Sequence, residues 1–254
     1  MSESMRMWVE IGFNLIYLVV VWWLVAVMIL RRGVVAPQDQ KAARLVIWAF
    51  ALLALGDTGH VGFRVLAYAL GGLETQISLL GIRLGLVGLG ALSTAITVTI
   101  FYMLMLGLWR ERFKRQFGWF EYLLLAAGFL RMAIMLLPGN QWNNVVPPQP
   151  MSILRNLPLM LQGLGVAYLF IRDAGRVKDR AFQWIGAMIL VSYACYIPVI
   201  LFVQQAPVIG MLMIPKTMAY VAIGFIAYHD LYQVRAVQPS EKNQQQKYID
   251  ALEA

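Results

Sequence analysis

Seven stretches of mostly apolar residues, each long enough to cross a bilayer as a helix, occupy most of this chain, and that pattern restricts the fold more than any other feature. They cover roughly residues 8–30, 45–70, 78–109, 119–137, 153–171, 182–203 and 207–232. In hydrocarbon every backbone N–H and C=O must be paired within its own segment, so each run reads as a transmembrane α-helix. A chain of 254 residues that is 60% hydrophobic and 13% charged has too little polar surface to coat a water-soluble globule. The expected fold is all-α: a polytopic membrane protein, one seven-transmembrane-helix bundle over residues 1–237, followed by a solvated cytoplasmic tail, 238–254, with a Gln-Gln-Gln run and mixed charges. The first run ends in Arg31-Arg32 without a small-residue cleavage site, so it is expected to be a retained span and not a signal peptide.

Basic residues set the expected direction of the bundle, because short loops rich in Lys and Arg are held on the cytoplasmic side. The first connection carries Arg31, Arg32, Lys41 and Arg44, the third Arg110, Arg112, Lys114 and Arg115, and the fifth Arg172, Arg176, Lys178 and Arg180. Residues 138–152 and the Gln204-Gln205-Ala206 turn carry no charge. The N-terminus is therefore expected outside and the C-terminus in the cytoplasm, in a multi-pass arrangement that fits the bacterial inner (cytoplasmic) membrane. Trp8, Trp109, Trp119, Trp142 and Trp184 fall near span ends, as interfacial aromatics do. The net charge of +8 belongs to these loops, so the lipid bilayer is the expected partner and nucleic acid is not.

The remaining ionisable residues lie within the runs, where charge is costly and normally turned inward. On the second run Asp57, His60 and Arg64 share one helical face at spacings of i, i+3 and i+7, and Gly56 and Gly59 leave room for a neighbour to approach the acid. Lys216 follows Pro215 on the seventh run, about 14 Å from its outer end and near the level of His60. A contact with Asp57 is expected there, beside a kink at Pro215, with Tyr220 one turn below. The third, fourth and fifth runs add Arg83, Arg131 and Arg155-Asn156, and the sixth adds Tyr193, Tyr196 and Pro198. All fall in the outer half. The uncharged segment from Pro138 through Trp142 to Pro148 can lie over them as a lid. Gly81, Gly85, Gly88, Ser93, Thr94 and Thr97 read as helix-packing positions on the third run.

Five basic residues against one deep acid leave a cationic excess, which attracts a carboxylate, a phosphate or a lipid head group. The leading expectation is an outward-facing polar, cationic cavity that binds a small anionic or amphipathic ligand, in a sensing or binding role. Its ligand-binding residues would be Asp57, His60, Arg64, Arg83, Arg131, Arg155, Asn156, Tyr193, Tyr196, Lys216 and Tyr220. The cytoplasmic loops are short, so signalling would need a cytoplasmic protein partner. A second expectation is an intramembrane enzyme acting on a lipid or isoprenoid head group, with Asp57 and His60 as acid and base. The seven-helix zinc hydrolases of the alkaline ceramidase and adiponectin-receptor type use three histidines and an aspartate. This chain has only His60 and His229, so no metal is expected and the cofactor is left open.

A third expectation comes from likeness. Seven helices, an outer N-terminus and Lys216 within the seventh run resemble the retinal-binding rhodopsins, and Ser192-Tyr193-Ala194-Cys195-Tyr196-Ile197-Pro198 is similar to the aromatic and proline pattern on their sixth helix. The resemblance implies a Schiff base at Lys216. The third run has no carboxylate at membrane depth, so Asp57 would serve as counter-ion from the second.

Overall fold

A computed structural model describes residues 3–79 and 82–232. The predicted tail, Arg235 and Gly81 lie outside the described residues, as do the side chains of Arg6, Trp8 and Glu10.

Seven α-helices follow in order: α1 (Glu3–Leu30), α2 (Gln40–Ala69), α3 (Leu86–Phe113), α4 (Trp119–Met135), α5 (Met151–Val177), α6 (Arg180–Phe202) and α7 (Met213–Tyr232). Six helical segments are long and apolar enough to cross a membrane: Ile11–Leu30, Pro37–Ala69, Leu86–Phe113, Met151–Val177, Arg180–Phe202 and Pro207–Tyr232. The seventh, α4, has 17 residues. Ile16, Val19, Leu30, Phe129 and Leu136 are exposed on the outer surface, an arrangement suited to lipid as the solvent of a multi-pass membrane protein.

The starts of the third and seventh helices differ from expectation. Of the residues expected to open the third span, Ser78 and Leu79 belong to β1 (Gln76–Leu79) and 82–85 to β2 (Ile82–Gly85), paired antiparallel as a hairpin with Ile77 opposite Leu84 and Ser78 opposite Arg83. Polar and apolar residues alternate through Gln76-Ile77-Ser78-Leu79 and Ile82-Arg83-Leu84, the period of a strand and not of a helix. Gly71 and Gly72, at φ +126° and +133°, turn the chain out of α2 in a conformation that L side chains rarely adopt. Before α7, residues Pro207–Leu212 form a 3-10 turn. Pro215 is therefore the third residue of α7, where a missing N–H forfeits no helical hydrogen bond, and the expected mid-helix kink at Lys216 is replaced by a helix start.

Ion pairs and hydrogen bonds show how the ends are gathered. Arg112, at the end of α3, reaches Asp39 before α2 (3.4 Å), Asp179 at the N-cap of α6 (2.8 Å) and Asp230 near the end of α7 (2.9 Å). One end of the bundle thus holds the α1–α2, α3–α4 and α5–α6 connections, with most of the basic residues. At the other, Asn143 of the α4–α5 loop bonds β2 through Gly85 N (2.9 Å) and Arg83 O (3.0 Å). Gln204, between α6 and α7, donates to Pro147 O (2.8 Å). Helices α2 and α3 approach most closely where glycine allows it. A Cβ at Gly56 would overlap Thr97, and one at Gly59 would press on Ser93. Thr97 and Ser93 are thus packing positions, as expected, whereas Gly85 and Gly88 pack against the α4–α5 loop at Asn143 and Trp142.

Candidate functional site

Between the helices, in the half nearer the hairpin, lies a cavity of about 430 Å³. Ten of the eleven residues expected at a ligand site line it: Asp57, His60, Arg64, Arg131, Arg155, Asn156, Tyr193, Tyr196, Lys216 and Tyr220. Arg83 does not. It sits exposed on β2, because the hairpin takes it out of the third helix.

The cations are held in different ways. Arg131 is 2% exposed and donates to Ala95 O (2.8 Å), Arg155 O (3.1 Å), Asn156 Oδ1 (3.3 Å) and the Thr99 hydroxyl. These are neutral acceptors from α3 and α5. The planar fork of the guanidinium matches two carbonyls, an amide and a hydroxyl. Arg155 is 8% exposed. Its guanidinium lies 4.4 Å from the ring centroid of Trp142 and donates to Asn140 Oδ1 at 3.4 Å. The uncharged loop thus meets the site at Arg155, through Trp142 and Asn140. Lys216 sits above two rings, 4.7 Å from the centroid of Tyr196 and 5.4 Å from that of Tyr220.

Asp57 accepts a hydrogen bond on Oδ2 from Tyr17 of α1 (2.7 Å). Among the described residues no salt bridge joins it to Lys216, so the expected direct contact is not made although both line the cavity. One turn on, His60 Nδ1 is buried without a hydrogen-bond partner among the described residues. Sequence reasoning missed Tyr17, together with Asn14 and Phe13, which also face the cavity. The signal was present: Asn14 and Tyr17, three apart, are a polar pair on the otherwise apolar stretch Ile11–Leu30. Tyrosines close the inner wall. Tyr102 and Tyr220 share a hydroxyl hydrogen bond (2.9 Å), Tyr193 donates to Leu159 O (2.8 Å), and Tyr196 donates to Asn156 Oδ1 (3.2 Å).

Among the described residues lining the cavity, four side chains are basic, Arg64, Arg131, Arg155 and Lys216, and one, Asp57, is a carboxylate. With Arg64 set aside, three cations still face one acid. The rest of the wall is largely apolar, with Phe13, Leu53, Val61, Val98, Val199 and Met213 among its members. Such a surface can hold an anion by charge-assisted hydrogen bonds while burying an apolar body. Among the described residues no three of His, Cys, Asp and Glu gather as metal ligands. No protein-family model, curated protein or solved structure matches this chain.

Proposed function

We propose that this chain is a seven-span membrane protein, N-terminus outside and C-terminus in the cytoplasm, whose outward-facing cavity binds a small anion with an apolar tail in a sensing or binding role. The 17 residues of α4 fall within the range that spans a bilayer, about 17 to 25. The gathering of basic connections at one end, and of the uncharged loop at the other, supports the orientation.

One observation carries the ligand class: Arg131, Arg155 and Lys216 line a single cavity with one carboxylate, and that carboxylate is bonded to Tyr17 instead of to a cation. A cationic excess walled by apolar side chains favours an anion strongly, because water screens it poorly there. Octanoate and octanol, matched in chain length, test the reading. Thermal unfolding in a mild detergent should show octanoate stabilising the protein and octanol leaving it unchanged. Equal shifts from both would contradict it.

The placement of Lys216 favours a second reading. Its ammonium group makes no salt bridge among the described residues and lies between two tyrosine rings in a mostly apolar cavity, surroundings in which a lysine amine can condense with an aldehyde, forming an imine and releasing water. Borohydride reduction of the purified protein would then leave a stable adduct at Lys216 in peptide mass spectra, and an unmodified Lys216 would count against it.

A further inference from the structure

The cavity has a second pole that a plain carboxylate does not satisfy. On the α1–α2 side, Asp57 accepts on Oδ2 from Tyr17 (2.7 Å), and a carboxylate has lone pairs for further donors. His60, one turn further along the same face, buries Nδ1 without a partner. On the α5–α7 side, Lys216 presents three N–H donors over Tyr196 and Tyr220, and Arg155 lies against Trp142. Cationic donors thus stand on one wall, and on the other stand acceptors, the Asp57 carboxylate and the unpartnered His60 Nδ1. A buried polar group left unmatched costs more than a matched one gains, so an occupant that serves only the cationic wall leaves part of the site's binding energy unused.

We infer that the ligand is an apolar-tailed carboxylate bearing a hydrogen-bond donor, a hydroxyl or an amine, on the carbon next to the carboxyl group. The carboxylate faces Lys216 and Arg155, the neighbouring donor bonds Asp57 Oδ1 or His60 Nδ1, and the tail lies along Phe13 and Met213. This inference rests on the proposed anion-binding role and specifies its substrate class.

Octanoate, 2-hydroxyoctanoate and 2-aminooctanoate are compared by isothermal titration with the purified full-length protein in mild detergent. At least one 2-substituted acid should bind about tenfold or more tightly than octanoate, since a site built to hydrogen-bond a group discriminates against the analogue lacking it. Which one does so identifies the donor. In Asp57→Asn the preference for the 2-substituted acid over octanoate should fall by about tenfold. Octanoate binding as tightly as both 2-substituted acids, or a preference untouched by both Asp57→Asn and His60→Gln, would overturn the inference and leave the anion-binding role standing. The comparison among wild-type affinities does not depend on any variant folding. Failure of all three acids to bind would instead overturn the anion-binding role itself.

Discussion

Arg131 joins three helices through one guanidinium: it extends from α4 to the carbonyl of Ala95 and the hydroxyl of Thr99 on α3, and to Arg155 O and Asn156 on α5. Arg131→Met should therefore destabilise the bundle, by about 1–3 kcal/mol for the buried acceptors left unpaired. An unchanged melting temperature would show that these bonds contribute nothing net. Depth and charge at this position were legible in the sequence, since a cation well inside a helical run must be compensated. The compensation was not. Backbone carbonyls of neighbouring helices leave no trace in a list of side chains, so the oxygens that Ala95 and Arg155 supply could not be read there. Tyr17 was hidden for a similar reason, because a tyrosine in an apolar run reads as packing until a carboxylate is found 2.7 Å away.

The close passage of α2 past α3 depends on Gly56, where a Cβ would collide with Thr97. Gly56→Ala should cost about 1–3 kcal/mol through overpacking. Adding Thr97→Ala should recover much of it, because the hydroxyl and methyl that block the new Cβ are then gone. Additive losses in a thermal-unfolding cycle would place the strain elsewhere. The glycines beside Asp57 announced this contact in the sequence, since small residues on a membrane helix mark where a neighbour comes close. The β1–β2 hairpin was missed because length and hydropathy alone swept residues 78–85 into a helical run. The two-residue alternation through Ile77, Ser78, Leu84 and Arg83 was the decisive local signal, and it carried Arg83 out of the site. At the basic end, Arg112 gathers Asp39, Asp179 and Asp230 and lies 4.5 Å from the ring centroid of Phe182. Its replacement by methionine leaves three carboxylates close together without their cation. The melting temperature of Arg112→Met should fall by more than that of Lys114→Met, whose exposed ammonium pairs with Glu111 at 3.8 Å.

The molecule divides into a basic end held by ion pairs and a hairpin end that encloses a cavity, with lipid-facing helices between. Cysteines introduced at Lys114 and Lys178 should react only from the cytoplasmic side and one at Asn143 only from outside. Reaction of Asn143 and Lys114 from the same side would overturn the orientation. The helical class and the residues facing inward could be read from apolar runs and from charges that lipid would not tolerate. The cavity's shape could not, because it depends on how far helices stand apart and on a loop that places Trp142 over Arg155. Whether that cavity binds an anion is measured by calorimetric titration of octanoate into wild-type, Lys216→Met and Arg155→Gln protein in neutral lipid nanodiscs. Each substitution removes a cationic donor from the wall, so each should weaken binding about tenfold or more, as loss of a charged hydrogen bond does, with octanol uptake the same in all three. Identical octanoate affinity in the wild type and both variants would mean that the acid partitions into lipid and that these cations hold no ligand.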